Sequence, residues 1–557
     1  MPSAKPETMS RTAASGSQQK PEDDLDKSAA EVSSLLSTRS SLSPSSTGSQ
    51  TSKIWISSLV TMVAVALLAV AWNLLFIRPT ESSNLSCRAA KICTELRSLL
   101  GPSVITLPSD SQQYDDLRDD NWSHTAWQRP DCIASPAHTA DVSSLVRTLT
   151  KANVPFAIRS GGHSPNPLDA SINRGVLISL HKLKTVKYDA KAKHVSIGTG
   201  ARWGEVYSVL DPYNVTVVGG RVVDVGVGGL TLGSGLSYLS DLYGLVCDNV
   251  VSFEVVLADG RIVEATPDKY SDLFWALKGG TNNFGIVTKF KTVGYPISLS
   301  WGGIQVFSPD QAPALMEALY EYQTAPNKDL YANLVINLIP TNGTMLLTLV
   351  YLKPVERPPA FAPFYKLTPV FEQTAIMPLH TLMSMFPAAT QPRWTWYVHS
   401  ILPNKKLYAQ ISEKIFAAAS SPEVATIAGL QAGTLVAAVQ PVSANAILAG
   451  RKKNGGNALG LQAVNQTWFS ISGAWWNEAD DAAVEGAVRS IHAKIGAAAT
   501  SAGTKLDYLF MNDANSRQKV IASYGPENVR KLKQISKRYD PLQVFQRLVP
   551  GGQKLPV

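Results

Sequence analysis

Phe156-Ala-Ile-Arg-Ser-Gly-Gly-His-Ser164 reads as a short apolar strand that runs into a glycine turn and ends on a histidine. Glycine lets backbone N–H groups come close to an anion, so a strand followed by such a turn can cradle a diphosphate. One turn of this kind is weak evidence. Here Ser160–Ser164, Gly226–Gly229 and Gly279–Gly285 each abut a predicted strand. No GxGxxG follows a first strand and no GxxxxGK[ST] occurs, so a nucleotide held by a fold other than these two is implied.

Working outward, Asp141 caps a predicted helix running to about Ala152, with Val142, Leu145, Val146 and Leu149 on one face. Pro155 ends it before the strand Phe156–Arg159. A strand at Val176–Leu180, a hairpin around Asp189-Ala-Lys-Ala, a helix at Trp203–Leu210 and a strand at Val215–Val218 follow. After the second glycine turn come a helix from Ser234, the strand Val250–Leu257, a tight turn at Asp259-Gly260 and the strand Ile286–Phe290. From 300 to 500 the character changes. Strand-like runs such as Met345–Leu352 and Trp394–Ser400 alternate with Ala-rich helical stretches such as Asp480–Ala499, which predicts an antiparallel sheet backed by helices.

The chain has 557 residues, 45% of them apolar and 17% charged, enough for two or three packed domains. Its 51 Lys and Arg against 43 Asp and Glu give a formal charge of +8, but the charges are interspersed and no basic run exceeds three. This describes a solvated, mildly basic surface and no nucleic-acid footprint. Four cysteines without a CxxC and eight histidines without an HxxxH exclude a disulfide-dense scaffold and give no metal-binding pattern.

Residues 1–53 are polar and Ser-rich and are expected to be disordered. Residues 54–77 carry no charge, and at about 1.5 Å per residue a helix of that length crosses a bilayer. A single-pass membrane helix is therefore expected. The tail that precedes the run, and the run's length, speak against a cleaved signal peptide. Five sequons, at Asn84, Asn121, Asn214, Asn342 and Asn465, all follow this segment and predict a glycosylated lumenal or extracellular catalytic part. Such a compartment permits a disulfide between Cys132 and either Cys87 or Cys93, with Cys247 left as a buried free thiol.

Arg159-Ser-Gly-Gly-His163, Val225-Gly-Val-Gly-Gly229, Gly244-Leu-Val-Cys-Asp-Asn-Val250, Val256-Leu-Ala-Asp-Gly260, the Gly279–Gly285 run and Tyr539-Asp-Pro-Leu-Gln-Val-Phe545 occur in a fixed order. Together they resemble the flavoproteins related to berberine bridge enzyme, in the vanillyl-alcohol oxidase and p-cresol methylhydroxylase superfamily. The style is that of fungal secondary-metabolism members, and the resemblance covers about residues 85–557.

The resemblance implies an α+β chain whose two-part FAD-binding domain accompanies a substrate domain with an antiparallel sheet. The expected segments are a linker with an N-terminal helix over 78–124, an FAD domain over 125–298, a substrate domain over 299–504, and a segment over 505–557 that completes the FAD domain. It places the covalent bond to the flavin 8α-methyl on His163, since a neutral imidazole nitrogen is a nucleophile. FAD contacts fall on Arg159, Ser160, Gly161, Gly162, Ser164, Val225, Gly226, Gly228, Gly229, Gly233, Asp248, Gly285, Ile286 and Val287. Val222 stands where some members carry a second attachment cysteine, so one link is expected. Val225 matches a position where a small side chain leaves room for oxygen.

The expected reaction is oxidation of a small alcohol, amine or secondary-metabolite intermediate, with molecular oxygen as acceptor. A sugar oxidase and a flavin-holding oxidative cyclase are the alternatives. Asn512-Asp-Ala-Asn515 departs from the family's Asn-Tyr-x-Asp motif by carrying Asp513 in place of the tyrosine. The catalytic candidates are Tyr508, Asn512 and Gln440, with Tyr397 and His399 more in keeping with core or surface positions.

Overall fold

The computed structural model describes residues 81–385, 390–416 and 421–556, and Pro79–Val557 forms one compact unit. The expected tail and membrane span lie outside the described residues, among which no helix is long and apolar enough to cross a membrane.

Three sheets follow one another along the chain. The first contains β1 (Ile105–Thr106), β2 (Cys132–Ala134), β3 (Phe156–Arg159) and β4 (Val176–Ser179) in the order β1-β2-β4-β3, and β4 runs parallel to both β2 and β3. Helix Thr139–Ala152 connects β2 to β3 and buries Val142, Leu145, Val146 and Leu149, as its periodicity predicts. It starts at Thr139, before the expected cap. Asp141 sits inside the first turn, and its carboxylate accepts from the N–H groups of Ala137 and His138.

Helix Glu81–Leu100 packs on the same core through Ala89 and Leu96, and the disulfide Cys93–Cys132 fastens it to β2. Of the two pairings left open, this is the one formed. Cys87 is an exposed thiol and Cys247 a buried one.

The second sheet contains β5 (Val186–Asp189), β6 (His194–Gly198), β7 (Thr216–Val217), β8 (Val250–Val256), β9 (Ile262–Ala265) and the long β10 (Ile286–Tyr295), paired antiparallel. The hairpin at Asp189 and the turn at Gly260 form as expected. The helix expected from Ser234 is displaced. It occupies Val227–Gly233, on top of the second glycine run, and Ser234 ends it with φ 114°. Three glycines in seven residues have poor intrinsic helix propensity, so this helix depends on tertiary contacts.

The third sheet is antiparallel throughout. It contains β11 (Leu299–Phe307), β12 (Ala332–Ile339), β13 (Thr344–Tyr351), β14 (Phe371–Pro378), β15 (Arg393–Ile401), β16 (Thr434–Val442), β17 (Gln466–Trp475) and β18 (Lys505–Leu506), in the order β14-β11-β13-β12-β16-β17-β15-β18. Alternation decides its faces. Ala332, Leu334, Ile336 and Leu338 of β12 bury one face in a core shared with helices Ala312–Thr324, Lys405–Phe416 and Asp481–Ser501. Val398, Val442 and Trp468 join the core of the second sheet. The sheet thus has a helix-backed side and a side that faces the glycine turns.

Candidate functional site

The strand β3 delivers Ser160–Ser164 to the edge of the first sheet. Ser160 Oγ donates to the carbonyl of Thr199 at 2.6 Å and accepts from the N–H of Gly228 at 3.1 Å. This ties the first glycine turn to the start of helix Val227–Gly233. The two turns touch backbone to backbone, for a β-carbon on Gly161 would lie 2.4 Å from Gly226 Cα. Only glycine at both positions allows that approach.

The third glycine run leads into β10 with Thr281 and Asn282 beside Gly285, Ile286 and Val287. The C-terminal tail folds back here. Gly552 N–H donates to Asp169 Oδ1 at 3.0 Å, and Asn283 Nδ2 donates to the Gln553 carbonyl at 2.8 Å.

Together these segments line a cavity of about 400 Å³. Trp396 of β15, Phe510–Ala514 and Arg221, Val222 and Val225 complete its wall. Gly229, in the first turn of its helix, faces open space, with no atom within 4 Å of a β-carbon placed there. The N–H groups of Gly161, Gly162 and His163 have no acceptor among the described residues. Free backbone donors beside an open glycine helix fit a nucleotide diphosphate and the group attached to it.

His163 is half-buried, and its exposed part lies in the cavity wall. Its imidazole stacks on Trp122 with centroids 4.3 Å apart and planes 9° apart. Burial holds its pKa down to about 4 against the opposing pull of the Asp224 carboxylate, so the ring is neutral at physiological pH. A neutral imidazole has a nitrogen lone pair free to act as a nucleophile.

In the same cavity wall, Asp513 accepts a hydrogen bond from Gln440 Nε2 at 2.7 Å, and Gln440 Oε1 accepts from the Arg221 guanidinium. Burial raises the Asp513 carboxyl above the ordinary range, while the Gln440 hydrogen bond and the charge of Arg221 pull it back. A carboxyl in this setting can exchange a proton with a molecule in the cavity.

Residues 130–266 match the family described as an FAD binding domain. An FAD-dependent monooxygenase of Arthrobotrys oligospora is 42% identical over 467 residues, 83% of this chain and 88% of the relative. The bifunctional solanapyrone synthase of Alternaria solani is 36% identical over 454 residues, 81% of this chain and 87% of its own. The chain belongs to the berberine bridge enzyme-like FAD-linked oxidoreductases.

Solved structures share the fold of this berberine bridge enzyme-like chain. The 6-hydroxy-D-nicotine oxidase of Arthrobacter nicotinovorans superposes with a TM-score of 0.68 at 20% identity, covering 81% of this chain and 97% of that one. The glucooligosaccharide oxidase of Acremonium strictum, which carries a 6-S-cysteinyl, 8α-N1-histidyl FAD, superposes with a TM-score of 0.67 at 17% identity, covering 84% and 100%.

Of the residues singled out in the sequence, His163, Ser160, Gly161, Gly162, Ser164, Val225, Gly226, Gly228, Gly229, Gly233, Gly285, Ile286 and Val287 line the cavity of this berberine bridge enzyme-like protein. Arg159, Asp248 and Tyr508 do not. The Arg159 guanidinium is fully buried and donates to the carbonyls of Leu117 and Arg118. Asp248 accepts from the N–H of Leu245 and from Asn457 Nδ2, closing one loop on another. Tyr508 is packed between Trp468 and Tyr524, and burial pushes its phenol far up.

Asn512 lines the cavity, but its side chain is spent on the helix. Its Oδ1 accepts from Gly235 N–H, and its Nδ2 donates to the carbonyls of Gly229 and Leu230. Gln440 stands one layer back and holds the two groups that reach the cavity. Tyr397 donates to Glu485 and His399 stacks on His492, both on the helix-backed side.

The sequence did not single out Arg221, Trp396, Met511, Asn282, Gln553 or Asp169. The one available signal was Asp513, a polar residue at a position where the family has a tyrosine.

One of the five sequons is corrected. The side-chain nitrogen of Asn121 is buried and donates to the carbonyls of both Ser123 and Ser164. A glycan replaces one hydrogen of that nitrogen and needs room beside it. Asn465 is partly exposed, and its side-chain nitrogen donates once, to the Gln323 carbonyl at 2.8 Å. Asn214 and Asn342 are exposed, and Asn84 lies within helix Glu81–Leu100.

Proposed function

We propose that this FAD-dependent oxidoreductase is an oxidase of a small organic molecule, with its flavin bonded once, through His163. The observation that carries the reading is a neutral imidazole in the wall of a cavity that Asp513 also lines. Val222 lines the same cavity and offers no thiol for a second bond. A bound flavin supplies a two-electron acceptor that oxygen restores, with hydrogen peroxide as by-product.

The chain's own part is to hold and to deprotonate. The free N–H groups of the first turn bind phosphate, Val225 leaves the cavity open beside the second turn, and Asp513 takes the proton that the substrate's O–H or N–H loses. Gln440 and Arg221 keep that carboxyl turned toward the cavity. Leu230, Leu232, Leu236, Phe510, Met511 and Trp396 make the lining largely apolar, which favours a secondary-metabolite intermediate over a sugar.

Acid denaturation tests the covalent bond. The wild-type pellet is expected to stay yellow and the His163→Ala pellet to be colourless. A colourless wild-type pellet refutes single-point attachment. Oxygen uptake on alcohols, amines and sugars tests the reaction. Product formed without stoichiometric oxygen uptake would replace the oxidase with a cyclase.

A further inference from the structure

His163 is held from outside the glycine turn. The segment Asn121-Trp122 is fastened to the turn on both sides of the histidine: Trp122 N–H donates to the Gly162 carbonyl at 2.8 Å, and Asn121 Nδ2 donates to the Ser164 carbonyl at 3.1 Å. Trp127 Nε1 in turn donates to the Asn121 carbonyl at 2.9 Å. Between these two bonds the indole of Trp122 lies flat on the imidazole, 4.3 Å away and 9° from parallel.

The indole is itself backed by β15. Trp394 stands 5.0 Å from it, and Trp396 stands 6.2 Å away with planes 23° apart. One face of the imidazole is therefore covered by a ring that cannot easily move, while the histidine also borders the cavity. A histidine side chain turns about two bonds, and a flat partner fixes the plane of its ring.

We propose that Trp122 is a positioning residue for covalent flavin attachment: it fixes the plane of the His163 ring so that one nitrogen stays aimed into the cavity. The inference rests on the reading that His163 carries the flavin. Attachment forms one N–C bond and breaks one C–H bond of the 8α-methyl and one imidazole N–H bond. The two protons are released to water, and oxygen takes two protons back from water when it is reduced. The two electrons are taken up by the flavin ring and passed to molecular oxygen, which leaves as hydrogen peroxide. Nothing in that balance requires the tryptophan as a reactant. Its contribution is orientation, where a small misplacement lowers a rate by orders of magnitude.

The test compares wild type, Trp122→Ala, Trp122→Phe and His163→Ala, reading total flavin in the native protein and acid-stable flavin in the precipitate. Wild type is expected to keep its flavin in the pellet. Trp122→Ala is expected to bind flavin but to lose at least about tenfold in the covalent fraction. Trp122→Phe, which keeps a flat face, is expected to recover most of it.

A general packing role would instead lower total and acid-stable flavin together, and a Trp122→Ala protein with that behaviour, or with an unchanged covalent fraction, overturns the proposal. Should Trp122→Ala fail to fold, Trp122→Leu keeps apolar bulk without the flat face. A wild-type covalent fraction in that variant overturns the proposal equally, and a reduced one supports it. If wild type itself sheds its flavin in acid, the attachment reading fails and the role of Trp122 falls with it, an outcome distinguishable from a failure at Trp122 alone.

Discussion

In one part of the cavity wall Gly161 and Gly226 meet backbone to backbone; in another, Arg221, Gln440 and Asp513 reach one another across 219 and 73 residues of chain. The first wall is made of peptide groups, and its specification is an absence of side chains. The second is made of side chains carried by separate segments, and its specification is a set of pairings that exist only after folding. The glycine wall is the part that fits a nucleotide common to many relatives. The side-chain wall is the part in which this chain can differ from them, as Asp513 in the tyrosine position does. If that division holds, damage to the first wall removes cofactor and stability together, and damage to the second leaves the cofactor in place.

The largest effect is expected from Gly161→Val. Its first added carbon would meet Gly226 Cα at 2.4 Å and Gly226 N at 2.7 Å, and neither backbone atom can swing aside. The two turns must part, at a cost of about 3 kcal/mol. Visible absorbance of the purified variant should be nearly lost and its melting temperature should fall. A variant that melts normally with a full complement of flavin would break the distinction between the walls.

How far each wall could be read from the sequence follows from the same contrast. The strand at Phe156–Arg159, the first half of the strand Ile286–Tyr295 as far as Phe290, the helix at Trp203–Leu210 and the helix-backed antiparallel sheet were legible, because period and turn chemistry are local properties. The glycine turns were legible because glycine is informative where backbones crowd. Helix Val227–Gly233 was not, since its glycines argue locally against a helix and contacts such as Gly228 N–H to Ser160 Oγ override them.

Arg159 and Asp248 carry charge next to glycine turns and read as ligand contacts. They are buried hydrogen-bonding struts, and nothing local tells a side chain pointing into a cavity from one pointing into the core. Arg221 and Gln440 were opaque for the opposite reason. Each looks ordinary alone, and only the register of β16 brings Gln440 to Asp513.

A smaller effect tests the second wall through pH. Burial raises the Asp513 carboxyl, so the folded protein keeps this proton at pH values where the unfolded chain has lost it. Stability from this group is therefore full in acid and falls as pH rises from the ordinary carboxylate range through the raised value. Asp513→Asn carries no charge to bury. It should match wild type in acid and exceed it by about 1 kcal/mol at neutral pH, read from thermal melts across that range. Its flavin content should not change. A variant less stable than wild type at neutral pH would mean that the carboxylate is held as an ion pair with Arg221, and that the second wall is electrostatic in a way its single neutral bridge does not suggest.

The smallest effect on stability is expected where the first wall meets the cavity. Gly229 sits in the first turn of helix Val227–Gly233, with no atom within 4 Å of an added β-carbon. Packing therefore does not require glycine there, in contrast to Gly161, and alanine should stabilise the apoprotein by a few tenths of a kcal/mol through helix propensity alone. What glycine does allow at that point is close approach of a bound group to the helix backbone.

In a His163→Ala background, where flavin is free to dissociate, adding Gly229→Ala should weaken flavin binding by about tenfold, or 1.4 kcal/mol. The two readouts then move in opposite directions: a slightly higher melting temperature without flavin and a weaker complex with it. A glycine kept for packing cannot give that pair of signs, because its replacement lowers both. Loss of apoprotein stability in Gly229→Ala would place this residue with Gly161 and erase the line between the glycines that join the turns and the glycine that faces the ligand.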